Sequence, residues 1–132
     1  MKNFVKHNSL FFICLVTFLL LLTVGCNQHP DIDILEIIAK SEKVLRSSED
    51  IETNAASFDG KKSLKFRLMV EGRPAEEEAI SLFNQVLDSF EKNSNSKIWD
   101  YYNGYFDIKS YDNGVIYEGT KLIGKRLEVV SK

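Results

Sequence analysis

The sequence predicts an α+β fold: two helices packed on an antiparallel sheet of three to five strands, in one small domain. Three patterns carry the prediction. Apolar residues recur at helical spacing in two separate stretches, near 31–47 and 74–93. They alternate with polar residues over 63–70, the period of a strand with one buried face. An aromatic-rich stretch from Lys97 is then broken by Asp112-Asn113-Gly114, a strong hairpin signal because Asn and Gly both tolerate positive φ.

The first helix is placed at Asp31–Ser47. Ile34, Leu35, Ile37, Ile38, Val44 and Leu45 make its apolar positions, and Asp31, Asp33 and Glu36 put negative charge at the positive end of its dipole. Its isoleucines either pack on a core or lie on a membrane, and Lys40, Lys43 and Arg46 are few for the second role. After it, 49–57 is polar and small. Its alternation is too weak to assign a strand; Asp59-Gly60 marks a turn, Leu64, Phe66, Leu68 and Val70 alternate with Ser63, Lys65 and Arg67, and pairing of 51–58 back across the turn would make a first hairpin. In the second helix Pro74 suits the start, and Glu76, Glu77 and Glu78 favour the amino-terminal dipole. Ala79, Ile80, Leu82, Phe83, Val86, Leu87 and Phe90 form its apolar stripe, and Lys92 with Asn93 closes it. Neighbouring glutamates on a helix point about 100° apart and do not converge on one ion.

Taking Asn113 and Gly114 as the two loop residues of the last hairpin pairs Lys109 with Glu118 and Ile108 with Gly119. Tyr102, Phe106, Ile108, Val115 and Tyr117 then face the core. Trp99, Tyr101, Tyr105 and Tyr111, with Asp107, Lys109, Ile116 and Glu118, share the other face. Aromatic rings give large contact area at low entropic cost, so Trp99, Tyr101, Tyr105 and Tyr111 are the candidate partner-binding residues. Structural packing is the competing reading: a bulge at Asn103-Gly104 shifts the parity and sends Trp99 and Tyr101 inward. The segment 121–130 continues the last strand with a kink or bulge at Gly124.

The amino-terminal segment is an address. Lys2 and Lys6 precede an apolar run from Leu10 to Val24 interrupted only by Thr17 and Thr23. At about 15 residues it is shorter than the roughly 20 that span a bilayer stably. The run ends Leu22-Thr23-Val24-Gly25-Cys26, which resembles the lipobox of bacterial lipoproteins. The likeness covers residues 1–26 alone, and Thr23 departs from the leucine usual at its position. It implies a signal peptide at 1–25, cleavage between Gly25 and Cys26, and a diacylglyceryl group on the Cys26 thiol. The mature chain then has a lipidated tether at 26–30 and an extracytoplasmic domain at 31–132, held on the cell membrane by lipid. Two or three acyl chains hold a protein durably where one does not.

Loss of the leader removes Lys2 and Lys6 and no acid, so the formal charge moves from −2 to −4. That balance argues against nucleic acid as a partner, and against a basic patch holding anionic lipid. Cys14 leaves with the leader and Cys26 carries the lipid, so the mature domain has no disulfide. Its one histidine, His29, precedes the fold, leaving serine or cysteine chemistry without a base. No metal ligand set, phosphate loop or cofactor motif occurs. The function expected is therefore non-enzymatic: binding of an envelope protein or cell-wall partner, as accessory, inhibitor or exclusion factors do. The alternative is a small envelope hydrolase acting on glycan or peptide through acids among Asp100, Asp107, Asp112 and Glu118.

Overall fold

In the computed structural model the described residues are 32–132, together with Ile13 and Val16. Gly25, Cys26 and the expected tether lie outside them. The chain divides into two units, Met1–Pro30 and Asp31–Lys132, and the fold below is that of the second.

Helix α1 spans Ile34–Arg46 and starts where Asp33 caps it, the Asp33 carboxylate accepting the Glu36 N–H at 3.2 Å. Ile34, Ile37, Ile38 and Leu45 are buried in the protein core, which answers the membrane-lying alternative. Strands β1 (Thr53–Phe58) and β2 (Ser63–Met69) form the first hairpin. Its turn is shaped by Asp59, whose Oδ1 accepts the N–H groups of Lys61, Lys62 and Ser63 at 2.8–3.0 Å. Helix α2 spans Glu76–Ser94, with three glutamates in its first turn. It ends at Asn95, which holds φ 52° in the left-handed region that asparagine tolerates as a helix terminator. A 3₁₀ turn (Ile98–Asp100) leads to β3 (Asn103–Ser110), β4 (Gly114–Lys121) and the short β5 (Glu128–Ser131).

The five strands form one sheet in sequence order, β1-β2-β3-β4-β5. The sheet is mixed, not antiparallel throughout. Three of its pairs are antiparallel, but β2 and β3 run parallel, Ser63 beside Asn103 through Met69 beside Lys109. The cause is α2: a helix inserted between two neighbouring strands carries the chain back to the end where it began, and the second strand must then run in the same direction. Both helices cover one face. Beneath them a single core joins Leu64, Phe66, Leu68, Phe83, Phe90, Ile98, Phe106 and Ile108, with Phe90 packed edge-on to Phe66 at 5.7 Å between ring centres.

The β3–β4 register also departs from the sequence expectation. Ser110 pairs with Gly114, so Tyr111, Asp112 and Asn113 form the loop, and the Ser110 hydroxyl accepts from Asn113 N–H and Nδ2. The register then shifts at Ile108/Lys109: Lys109 faces Val115 while Ile108 faces Tyr117, which leaves Ile116 as an extra residue on β4. Consecutive Ile116 and Tyr117 are consequently both buried. The two-residue loop keeps a Lys109–Glu118 pair, of about 0.2–1 kcal/mol. It also leaves Ile116 on the outer face, and burying an isoleucine contributes about 1.5–3 kcal/mol. The hydrophobic term is larger, and the bulge satisfies it.

Candidate functional site

Because β2 and β3 are neighbours, the outward residues of four strands lie side by side on the uncovered face of the sheet. Ladder pairing aligns Ser57, Lys65, Tyr105 and Thr120 in one row across β1 to β4. The next row is Ala55, Arg67, Asp107 and Glu118. Together they line an open depression of about 540 Å³. Small residues at Ala55 and Ser57 lower one side of it, and Tyr105, 40% exposed, stands beside Lys65 on the other.

An ion pair crosses the middle. Arg67 Nε donates to Asp107 Oδ1 at 2.7 Å and Nη2 donates to Oδ2 at 2.8 Å, a fork-to-fork contact that fixes both side chains. The Asp107 carboxylate, by accepting these bonds and by its charge, pushes the Arg67 guanidinium further above its ordinary pKa. Both side chains remain partly wet, so the pair adds no more than about 1 kcal/mol of stability and contributes chiefly geometry. Asp107 also faces Glu118 across the ladder, a like-charge juxtaposition relieved by Arg67 on one side and by Lys132, whose Nζ lies 2.8 Å from Glu118 Oε2, on the other.

The four aromatic candidates are dispersed by the fold. Tyr105 sits on the outer face, and Tyr111, 76% exposed, stands at the tip of the β3–β4 loop. Tyr101 is half-buried, its N–H closing the 3₁₀ turn on Ile98 O. Trp99 is a core residue, 3% exposed, packed at 5.5 Å from the Phe90 ring and 5.7 Å from Phe106, with Nε1–H donated to Leu87 O at 3.1 Å. The 3₁₀ turn is what turns Trp99 inward; the strand begins only at Asn103, so alternation does not extend back to residue 99. Gly104 makes room for it. A Cβ there would stand 2.3 Å from Phe106 Cζ and 2.8 Å from Trp99 Cζ3. Ile116, expected outside, is in the core.

The residues missed by sequence reasoning are Ala55 and Ser57 of β1, Lys65 and Arg67 of β2, and Thr120 of β4. The outward parity of Lys65 and Arg67 was legible in the alternation over 63–70, but their neighbour was not, and the weak alternation over 49–57 left Ala55 and Ser57 unassigned. Among the acids, Asp107 and Glu118 come together, whereas Asp100 and Asp112 lie beyond opposite ends of β3. Among the described residues no group of His, Cys, Asp and Glu is arranged to hold a metal ion, and no helix is long and apolar enough to cross a membrane. No protein-family model matches the chain, and no curated protein matches its sequence.

Proposed function

We propose that the chain is a lipid-anchored, extracytoplasmic lipoprotein of the cell membrane whose domain binds an envelope protein or cell-wall component without transforming it. The observation that supports binding is the uncovered outer face of the sheet. It offers an open depression, one exposed ring in Tyr105, hydrogen-bonding groups in Ser57 and Thr120, and a pre-set ion pair in Arg67 and Asp107. Such a mixture suits a polar, rim-like contact more than enclosure of a small molecule, which needs a deep and mostly apolar pocket. The anchor is supported by the lipobox-like run ending at Cys26, followed by a domain that begins within a few residues.

The test has two parts. Cys26→Ser abolishes lipid labelling, and labelling that survives the substitution refutes the anchor. For the face, a photo-crosslinking residue at position 105 of the anchored protein gives a discrete adduct in its own membrane. Lys65→Ser with Arg67→Ser abolishes that adduct while circular dichroism is retained. An adduct indifferent to these changes removes the sheet face from consideration.

A second reading has one observation in its favour: Asp107 and Glu118 are cross-strand partners beside the depression, as a pair of hydrolytic carboxylates would be. A general acid, however, needs a desolvated carboxyl that keeps its proton. Here Asp107 is engaged by Arg67, and Glu118 by Lys132 in a half-exposed position. Glycan or peptide hydrolysis that disappears on Asp107→Asn or Glu118→Gln would reverse this preference.

A further inference from the structure

We propose that the domain docks on an anionic lipid surface through one end of its sheet, the end from which its tether departs; the proposal builds on the anchor reading above. Helix α1 runs antiparallel to β1, since Glu42 Oε1 accepts the Ala56 N–H and the chain then passes through Ile51 to Thr53, which pairs with Met69. The start of α1 therefore lies at the opposite end, with the β1–β2 turn. The β4–β5 turn is there too. Asn103 binds the two turns to each other, giving its N–H to Lys62 O at 2.8 Å and accepting the Ile123 N–H on Oδ1 at 2.8 Å.

These turns carry a particular chemistry. Lys61, Lys62, Lys125 and Arg126 are exposed, and between the two basic pairs stand Leu122, 40% exposed, and Ile123, 37% exposed. Aliphatic tips flanked by cations match a headgroup layer, where the apolar ends enter the acyl boundary and the charges meet lipid phosphates. Acids at this end are Asp33, Glu36, Asp59, Glu91, Asp100 and Glu128; Asp33 and Asp59 have their carboxylates turned onto backbone N–H groups, and Glu36 pairs with Lys40. Hydrogen bonds from Ser63, Lys61 and Lys62 hold Asp59 below the usual carboxylate pKa.

The far end has the opposite sign. Glu49, Asp50, Glu52, Glu71 and Glu78 line a depression of about 550 Å³ around Arg73. The net charge of the mature domain averages over this separation, which is why composition argued against a basic patch. An anionic surface attracts one end and repels the other, so a single orientation results. The tether enforces proximity: six residues from Cys26 to Ile32 reach at most about 20 Å.

The experiment uses the full chain purified from its membrane and placed in vesicles of zwitterionic lipid alone or with anionic lipid, one lipid in each carrying brominated acyl chains. Ile123→Trp supplies an emitter at the proposed contact, Asp112→Trp one at the far end, and the parent chain the Trp99 background. The expected result is bromine quenching of the residue-123 emitter in anionic vesicles, little in zwitterionic ones, and none at residue 112. Raising salt to 1 M, which shortens the screening length to about 3 Å, releases it. Lys125→Ala with Arg126→Ala lowers the ratio of docked to free domain by about 25-fold, about fivefold for each charge. Equal quenching at 112 and 123, or quenching at 123 indifferent to lipid charge and salt, overturns the proposal. The mass of the Cys26 peptide reports the anchor separately. If the adduct is present and residue 123 stays in water, the docking fails and the anchor stands; if the adduct is absent and residue 123 is still quenched in anionic vesicles, the reverse holds.

Discussion

Replacing Trp99 by alanine separates a core residue from a surface one on a scale large enough to measure. The side chain is 3% exposed, so its removal forfeits packing against Phe90 and Phe106 and leaves a cavity, a loss of about 3–5 kcal/mol. The hydrogen bond from Nε1 to Leu87 O adds about 1 kcal/mol. The sum, about 4–6 kcal/mol, is a large part of the stability of a domain this size, and the melting temperature should fall by about 20 °C or more. Trp99→Phe keeps a ring and loses the donor, and should fall between the variant and the parent. Tyr105→Ala, on the outer face, should cost no more than about 1 kcal/mol. Thermal and urea unfolding of the three variants, followed by far-ultraviolet circular dichroism, gives the comparison. If Trp99→Ala stays within about 1 kcal/mol of the parent, or Tyr105→Ala costs as much as Trp99→Ala, the inward assignment of the 3₁₀ turn is wrong.

Gly104→Ala should destabilise by about 1–3 kcal/mol through overpacking against Phe106 and Trp99, and combining it with Trp99→Ala should cost less than the sum of the two, as a double-mutant cycle will show. Asp59 has its pKa lowered in the folded chain by backbone N–H donors, so its contribution is present above the ordinary carboxylate value near ~4 and lost as pH falls through the lowered one. Asp59→Asn should therefore flatten the stability profile below about pH 4, measured by urea midpoints across pH. Glu42→Ala removes the acceptor on Ala56 N–H and bares the edge of β1. It should cost about 1–3 kcal/mol and raise the tendency to associate, read by light scattering.

What was legible in the sequence follows from how local each determinant is. The α2 stripe, β2 and the turn before it depend on residues within a few turns of each other, and periodicity with turn chemistry specified them, whereas 49–57 alternates too weakly to have fixed β1. The parallel β2–β3 seam depends on contacts such as Arg67–Asp107, 40 residues apart, which no local pattern reports. Without that seam, Lys65 and Arg67 could not be placed beside Tyr105. The hairpin register failed for a different reason. Asn113-Gly114 is a strong local signal, but the core's demand for Ile116 outweighed it, and a bulge reconciled the two. Trp99 was lost to a short 3₁₀ turn, whose few residues carry no period at all. The charge separation between the two ends of the sheet belongs to the fold, since it gathers turns remote in sequence.

The same seam divides the order in which the domain can assemble. Either side of it is built from near neighbours: α1 with the β1–β2 hairpin, and the β3–β4–β5 meander. Joining them waits on α2, which must span the intervening residues before any parallel pairing is rewarded, and closing such a loop costs entropy in advance of contact. In the interval before the seam closes, β2 and β3 each expose an unpaired edge. Glu42 guards β1 in the finished molecule, whereas β2 and β3 cover each other's edges there.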